Sequence, residues 1–518
     1  MTIRGVSAAE NLLPAYDVVI IGAGPAGMAA AIEASKTGVR VAVLDENLRL
    51  GGQIYREITR NRSDKHRYLG ADYWRGRPLA DAFAESDADY APKATVWSIE
   101  RAENEDGKDH HLVGVTVAGI ARMIEATVVI LASGAQERPM PVPGWTLPGV
   151  LTAGAAQIAL KSSGAVPISP IVLAGCGPLL YLLAAQFIDA GAGSMTLLDT
   201  SQSLYRWAAL RHLPSFLLSR YLGKGLGLLL KKKRSIREVT GIRSLAVLGE
   251  ERAQSVRFTT ALGTETLQVA TVLLHQGIIP AINLASAAGC PLTWNEGQRA
   301  FHPVTDAEGR TPKRGIFIAG DSAGIGGAQA AEICGRVAAL AALSDVGLTA
   351  RPAAIAAIKH LQRRRQRYIR GRDFLDALYT PRHTFLSPPD PETIVCRCEE
   401  VTAGRLREAI LLGPPGPNQL KTFVRCGMGP CQGRLCAATV AEIMADEKEM
   451  SPHDVGTYRL RSPAKPVRLA ELARLPHVPH ALKAVTGRDR IDYQGNEGGI
   501  HHGRKVTRHT HLAPRRQA

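Results

Sequence analysis

Residues 17–22 read Asp-Val-Val-Ile-Ile-Gly, and the glycines continue as Gly22-Ala-Gly24-Pro25-Ala26-Gly27. A small-residue stretch over 28–37 follows, then an apolar run over 39–44 that ends on Asp45 and Glu46. A lone Gly-x-Gly-x-x-Gly is a weak signal, but between a buried strand and a helix, with an acid closing the next strand, it prescribes a βαβ unit. The first glycine makes the turn, the second lets the backbone approach a pyrophosphate, and the third lets helix and strand pack closely. The helix N-terminus adds N–H groups and the positive end of a dipole. Asp45 is then placed for the adenosine ribose hydroxyls, with Glu46 beside it.

The pattern recurs over 171–199. A strand leads into Gly175-Cys-Gly177-Pro178-Leu-Leu180, a helix runs to about residue 190, and a strand ends on Asp199. Leu180 stands where the third glycine belongs, so Gly175, Gly177, Pro178 and Asp199 mark a weakened second nucleotide site or a structural copy of the first. Two more segments complete the first unit. The run 130–144 is a strand followed by a crossover through Gly134 and Ala135, and 315–321 is a strand, Gly-Ile-Phe-Ile-Ala-Gly320-Asp321, entering a helix near Ala328 and Gln329. An acid at the carboxyl end of a parallel strand, facing a Gly-rich helix start, suits a flavin's ribityl chain and pyrophosphate.

Together with Gly51-Gly52-Gln53, these residues resemble the two-dinucleotide-domain flavoproteins. That resemblance implies an α/β fold with a split FAD-binding domain, residues 1–150 and 270–385, and an inserted NAD-like domain over 151–269. Residues 352–380 carry a helical apolar pattern (Ile355, Ile358, Leu361, Ile369, Phe374, Leu378) studded with Arg363, Arg364, Arg365, Arg367, Arg370 and Arg372. A solvated helix face is the default reading, and a docking surface for an acidic partner the sharper one. Pro381 and the run 387–391 form a linker.

A module with different chemistry occupies 392–450. It holds Cys396-Arg-Cys398, a helical stretch over 403–412, and Cys426-Gly-Met-Gly-Pro-Cys431-Gln-Gly-Arg-Leu-Cys436. Four thiolates from two short loops are what an iron–sulfur cluster requires. Tetrahedral zinc is the rival, and the one-residue gap between Cys396 and Cys398 weighs against it. The module resembles bacterioferritin-associated ferredoxin, which implies a 2Fe-2S cluster on Cys396, Cys398, Cys426 and Cys431. Cys436 competes as a ligand, but a helix expected to begin near Gln432 assigns it to packing. Cys176, Cys290 and Cys334 read as packing residues.

The whole order, extended by Gly-Gly-Gln-Ile-Tyr-Arg at 51–56, the run 134–157 and the run 318–336, resembles the FAD-carrying A or α subunits of octopine and nopaline oxidases, D-hydroxyproline dehydrogenase and hydrogen cyanide synthase. The α subunit of heteromeric sarcosine oxidase is a more distant likeness. The resemblance covers about residues 15–450 and implies an electron-transfer subunit. An amino-acid-oxidase-like FAD β subunit oxidises a secondary amine or amino acid of opine or D-hydroxyproline type. Electrons then pass through FAD and the 2Fe-2S cluster to a respiratory or quinone-type acceptor. It leaves room for a small additional subunit, an interface flavin (FMN), and ATP or NAD(P) in the second domain. A hydrogen cyanide synthase subunit is one alternative, a stand-alone NAD(P)H-dependent reductase another, and a regulatory or structural nucleotide pocket over 151–270 a third. His275 and His302 read as structural, and no residue is assigned as catalytic.

Composition closes off other classes. With 518 residues, 45% hydrophobic and 21% charged, the chain has the makeup of a multidomain globular protein. Its formal charge of +16 sits in local runs such as 231–234 and the 501–516 tail, so it carries no nucleic-acid signature. No stretch approaches the ~20 apolar residues of a membrane helix, and clustered cysteines suit a reducing compartment. The expected location is cytoplasmic, with any attachment to the inner membrane face made through partners. Residues 451–518 are read as a basic extension with a short helix near 469–474.

Overall fold

The computed structural model describes residues 4–103, 109–223, 225, 227 and 236–475, and residues up to Arg474 form one compact unit. The basic run 231–234 and the 501–516 tail lie outside the described residues.

The opening apolar run forms β1 (Ala15–Ile21), which pairs in parallel with β2 (Val41–Asp45) on one side. Beyond β2 lies β3 (Asp89–Pro92), also parallel. The meander β4 (Ala94–Glu103), β5 (Asp109–Val117) and β6 (Ile120–Leu131) is antiparallel within itself, and β6 returns to pair in parallel with β1. The far end of β6 also takes the strand Ile316–Ile318, giving seven strands in the order β3-β2-β1-β6-β5-β4 with Ile316–Ile318 against β6. β1 is buried on both faces from Val18 to Ile21, as a near-continuous apolar run should be in a sheet covered on both sides. The helix Pro25–Ser35 starts with proline in its first turn, where a missing N–H costs nothing.

The first glycine of the turn takes φ +106°, and a Cβ on Gly27 would stand 1.8 Å from the Gly22 carbonyl oxygen. Both positions therefore demand glycine. The helix Ala328–Asp345 crosses Pro25–Ser35 on the same face, and its alanines and leucines join the largest core.

A second, five-stranded sheet has the order Arg237–Thr240, Met195–Asp199, Ile171–Cys176, Thr271–Gln276, Val150–Thr152. Its strands extend past 151–269 on the C-terminal side, since Thr271–Gln276 belongs to it. The substituted third glycine does not stop the helix Pro178–Asp189 from packing, because Leu180 turns into the core and is 1% exposed.

The Arg-rich stretch is two helices, Arg351–Ile369 and Arg372–Leu378, broken at Gly371 with φ +79°. Arg363, Arg364, Arg367 and Arg370 face solvent, whereas Arg372 pairs with Asp376 at 2.7 Å. After the linker, the strands Ile394–Cys396 and Val401–Thr402 and the helices Ala403–Leu411, Pro417–Val424 and Ala437–Glu447 enclose their own core. A short helix at Leu469–Leu472 ends the described chain.

Candidate redox centres

The first fingerprint turn is held from three sides. Asp45, 4% exposed, accepts from the Ala23 N–H at 2.5 Å through Oδ2 and from the Asn47 N–H at 2.7 Å through Oδ1. Both carboxylate oxygens therefore brace the turn. Glu46 instead pairs with Lys465 at the surface. Gly52 lies against Gly24, so closely that a Cβ on Gly52 would be 3.0 Å from the Gly24 Cα. Gly320 rests on Ala26, and Asp321 accepts from the N–H groups of Gly326 and Gly327 at 2.9 and 3.0 Å, leaving Oδ2 outside those bonds. Burial raises the Asp321 pKa. Gln329 sits in the first turn of the helix Ala328–Asp345, and Ala135 pairs with Pro280 just beyond Gly134. Gly22, Gly24, Pro25, Ala26, Gly27, Gly52, Gly320 and Asp321 thus converge at one edge of the sheet. Paired Gly-rich loops, a helix start and a half-buried carboxylate have the chemistry to hold a dinucleotide's pyrophosphate and polyol.

Sequence reasoning missed Lys161, which lies beneath this loop. It is 2% exposed, and its ammonium donates to the Gln53 carbonyl at 3.1 Å and Gln157 Oε1 at 3.0 Å, neutral acceptors both. Burial lowers its pKa to about 7 from 10.5. Between those two values the unfolded chain binds more protons than the folded one, so this lysine makes stability rise with pH across that window. Thermal unfolding of Lys161→Met is expected to show a flatter rise from about pH 7 to about pH 9 than the native protein. Parallel profiles for the two proteins would refute this.

At the second fingerprint, Asp199 is already engaged. Oδ1 accepts from the Ser201 N–H at 2.8 Å, and Oδ2 lies 3.3 Å from the Tyr181 hydroxyl. Cys176, between Gly175 and Gly177, donates to Gln276 Oε1 and to the carbonyl of Tyr379, which brings the segment after Arg372–Leu378 against the turn. Pro178 opens the helix. His275 is buried with Nδ1 2.7 Å from Glu137 Oε1, and His302 is buried with its pKa lowered to about 4 by desolvation. Cys176 and Cys290 are buried, and Cys334 is half-buried.

Of the four ligands expected from the sequence, the structure brings Cys396 and Cys426 together with Cys436, and sets Cys398 and Cys431 as a separate pair. Cys396, Cys426 and Cys436 are buried, and their sulfurs lie within 4.8 Å of one another. Cys398 and Cys431 are half-buried and interact with each other. Hydrogen bonds from Cys426 and Cys436, with backbone N–H groups of Gly427 and Glu399, hold the Cys396 pKa far below its usual range, and the Cys396 sulfur in turn pushes that of Cys426 up. Three buried thiols this close to one another are in the condition of sulfurs gathered for a metal centre. Gly429 lets the loops meet, since a Cβ there would be 2.2 Å from the Cys398 Cβ, and Arg425 pairs with Glu399 across the same seam at 3.0 Å.

The expectation that Cys436 packs inside a helix starting near Gln432 is corrected. Gln432 and Gly433 take φ +52° and +75°, which breaks any helix there. The helix begins at Ala437, and the thiol of Cys436, at its N-cap, joins Cys396 and Cys426.

The module is pinned to the flavin-type domain. Trp145 Nε1 donates to the Ile394 carbonyl at 2.7 Å, Gln136 Nε2 to the Arg434 carbonyl at 2.7 Å, and Asn283 Nδ2 to the Gln432 carbonyl at 3.2 Å. Arg299 pairs at 2.6 Å with Glu442, whose side chain is 2% exposed. Gln136 follows Ala135 directly, so the cysteine loop touches a strand of the dinucleotide edge.

Two families match the chain: the pyridine nucleotide-disulphide oxidoreductases over residues 16–335 and the BFD-like 2Fe-2S binding domain over 394–446. The opine oxidase A-subunit of Agrobacterium tumefaciens is 64% identical over 500 residues, which cover 96% of this chain and 99% of that one. The chain belongs to the opine oxidase A-subunit family. It is thus an FAD- and 2Fe-2S-type flavoprotein of an oxidoreductase family whose members are named as subunits. A hydrogen cyanide synthase subunit of Pseudomonas protegens is 30% identical across 87% of this chain and 96% of its own. Among solved structures, L-proline dehydrogenase from P. horikoshii superposes with a TM-score of 0.65 at 20% identity, covering 92% of this chain and 81% of that one, a likeness of fold. No helix among the described residues is long and apolar enough to cross a membrane.

Proposed function

We propose that this chain is the electron-transfer subunit of a heteromeric opine-type dehydrogenase or oxidase. In this reading an amino-acid-oxidase-like partner removes hydride from the carbon beside a secondary amine, and the two electrons leave through this chain to an external acceptor. The observation that carries the reading is the juxtaposition of two centres of different chemistry, with the cysteine loop hydrogen-bonded at Arg434 to Gln136, one residue from Ala135. FAD takes up electron pairs and releases single electrons, and a 2Fe-2S cluster carries them singly. The chain's own part is to hold both groups. The turn at Gly22–Gly27 and Asp321 orient one of them. Cys396, Cys398, Cys426 and Cys431 are the proposed ligands of the other, on the resemblance of the 394–446 segment to its family, and Cys436 is a fifth candidate because its sulfur lies with those of Cys396 and Cys426. The cysteine spacing agrees, since no two cysteines stand in the Cys-x-x-Cys arrangement of a disulfide reductase.

A second reading, a stand-alone NAD(P)H reductase, draws on Gly175, Gly177 and Pro178. It is disfavoured by the Tyr379 carbonyl, which accepts from the Cys176 thiol and brings the segment after Arg372–Leu378 against that turn. Anaerobic titration of the purified chain with NADH and NADPH decides between them. The flavin band is expected to stay unbleached while dithionite reduces both centres. Stoichiometric bleaching would overturn the relay reading and make Gly175–Gly177 the nicotinamide site.

A further inference from the structure

Tyr458 lies in the chain after Ala437–Glu447, beyond the 394–446 matched by the 2Fe-2S family, and belongs to no motif in the sequence. It is 3% exposed. Its ring lies across the cysteine loop at two bare positions. A Cβ on Gly427 would come within 2.6 Å of the ring and 3.0 Å of the hydroxyl oxygen, and one on Gly433 within 2.5 Å of Cδ2. These glycines flank Cys431, and side chains at either would expel the ring. The Lys421 ammonium sits 4.6 Å from the ring centroid and fixes it further.

The hydroxyl end is the informative part. It is fully buried and meets no oxygen or nitrogen partner. A phenol stranded in this way costs free energy unless an acceptor is present. Tyr458 packs in one core with Cys396, Cys426 and Cys436, and Cys426 lies beside its hydroxyl. The ring is therefore held with an unpartnered O–H among the cysteines of this core.

We propose that Tyr458 donates a hydrogen bond to the sulfur shell of the 2Fe-2S cluster and raises its reduction potential. A donor to thiolate or sulfide sulfur draws electron density from the irons and favours the reduced, more negative state. Tyr458 is thus a positioning and tuning residue supplied from beyond the 394–446 segment. The proposal rests on the cluster reading above, and its test separates the two.

The experiment uses the full chain, native and Tyr458→Phe, assayed first for iron and acid-labile sulfide and then titrated potentiometrically with the reduced cluster's spin signal as readout. Absence of iron and sulfide from the native chain would sink the cluster reading itself. With both present, Tyr458→Phe is expected to keep them, leave the flavin midpoint unmoved and make the cluster about tenfold harder to reduce, about 59 mV lower for a one-electron couple. In deuterated buffer, the native protein should also lose a proton coupling to the cluster spin that the variant lacks in either solvent. An unmoved cluster midpoint would overturn the proposal. So would loss of the cluster from Tyr458→Phe, since the ring is retained and the tyrosine's role would then be structural.

Discussion

Cys396→Ser is expected to strip the chain of iron and acid-labile sulfide while FAD stays bound. Cys396 is a buried sulfur lying within 4.8 Å of those of Cys426 and Cys436, and their hydrogen bonds favour its thiolate. Serine keeps the shape but offers an alkoxide that does not form at neutral pH. Serine substitutions across the five positions then fix the ligand set, because a 2Fe-2S cluster takes four protein ligands. Cys398→Ser should also lose the cluster. Among Cys426, Cys431 and Cys436 two variants should lose it, and the one that keeps its iron names the spectator. Native iron content in Cys396→Ser would refute the placement of the centre.

The reciprocal experiment removes the flavin. Gly27→Val puts a branched side chain where a single Cβ would already stand 1.8 Å from the Gly22 carbonyl. The clash forces the helix Pro25–Ser35 away from the turn, and the N–H groups that would face a pyrophosphate go with it. FAD content is expected to fall at least about tenfold, the scale of a lost 1.4 kcal/mol or more. Iron serves as the internal control, because the cysteine module encloses its own core. A variant with full FAD and native absorbance would show that the first fingerprint is not the flavin site.

The strands and the fingerprint turns were legible because a buried parallel strand must be apolar throughout and a pyrophosphate turn must be glycine. Those demands are local, and the residues over 17–27 state them without help from the rest of the chain. The cysteine loop was half legible. Its residue types announced a centre, but the position of Cys436 depends on backbone angles at Gln432 and Gly433 that spacing does not encode. Lys161, Trp145 and Tyr458 were invisible for a different reason. Each acts through a partner more than thirty residues away in sequence or through burial that only the assembled fold creates, as when Lys161 meets Gln53 and Trp145 meets Ile394. Their residue types fit many bland roles, and no periodicity marks them.

The bonds from Trp145, Gln136 and Asn283 run from the larger domain to main-chain carbonyls of the module, and Glu442 answers with a buried carboxylate for Arg299. The ferredoxin-like module is therefore a wall of the flavoprotein and not a cargo arm on a tether. A redox centre mounted in a wall exchanges electrons at a rate fixed by separation and driving force, with no search of space between turnovers. Of the module's five thiols, Cys398 and Cys431 keep partial exposure while the other three are buried, so a molecule approaching the loop meets that pair first.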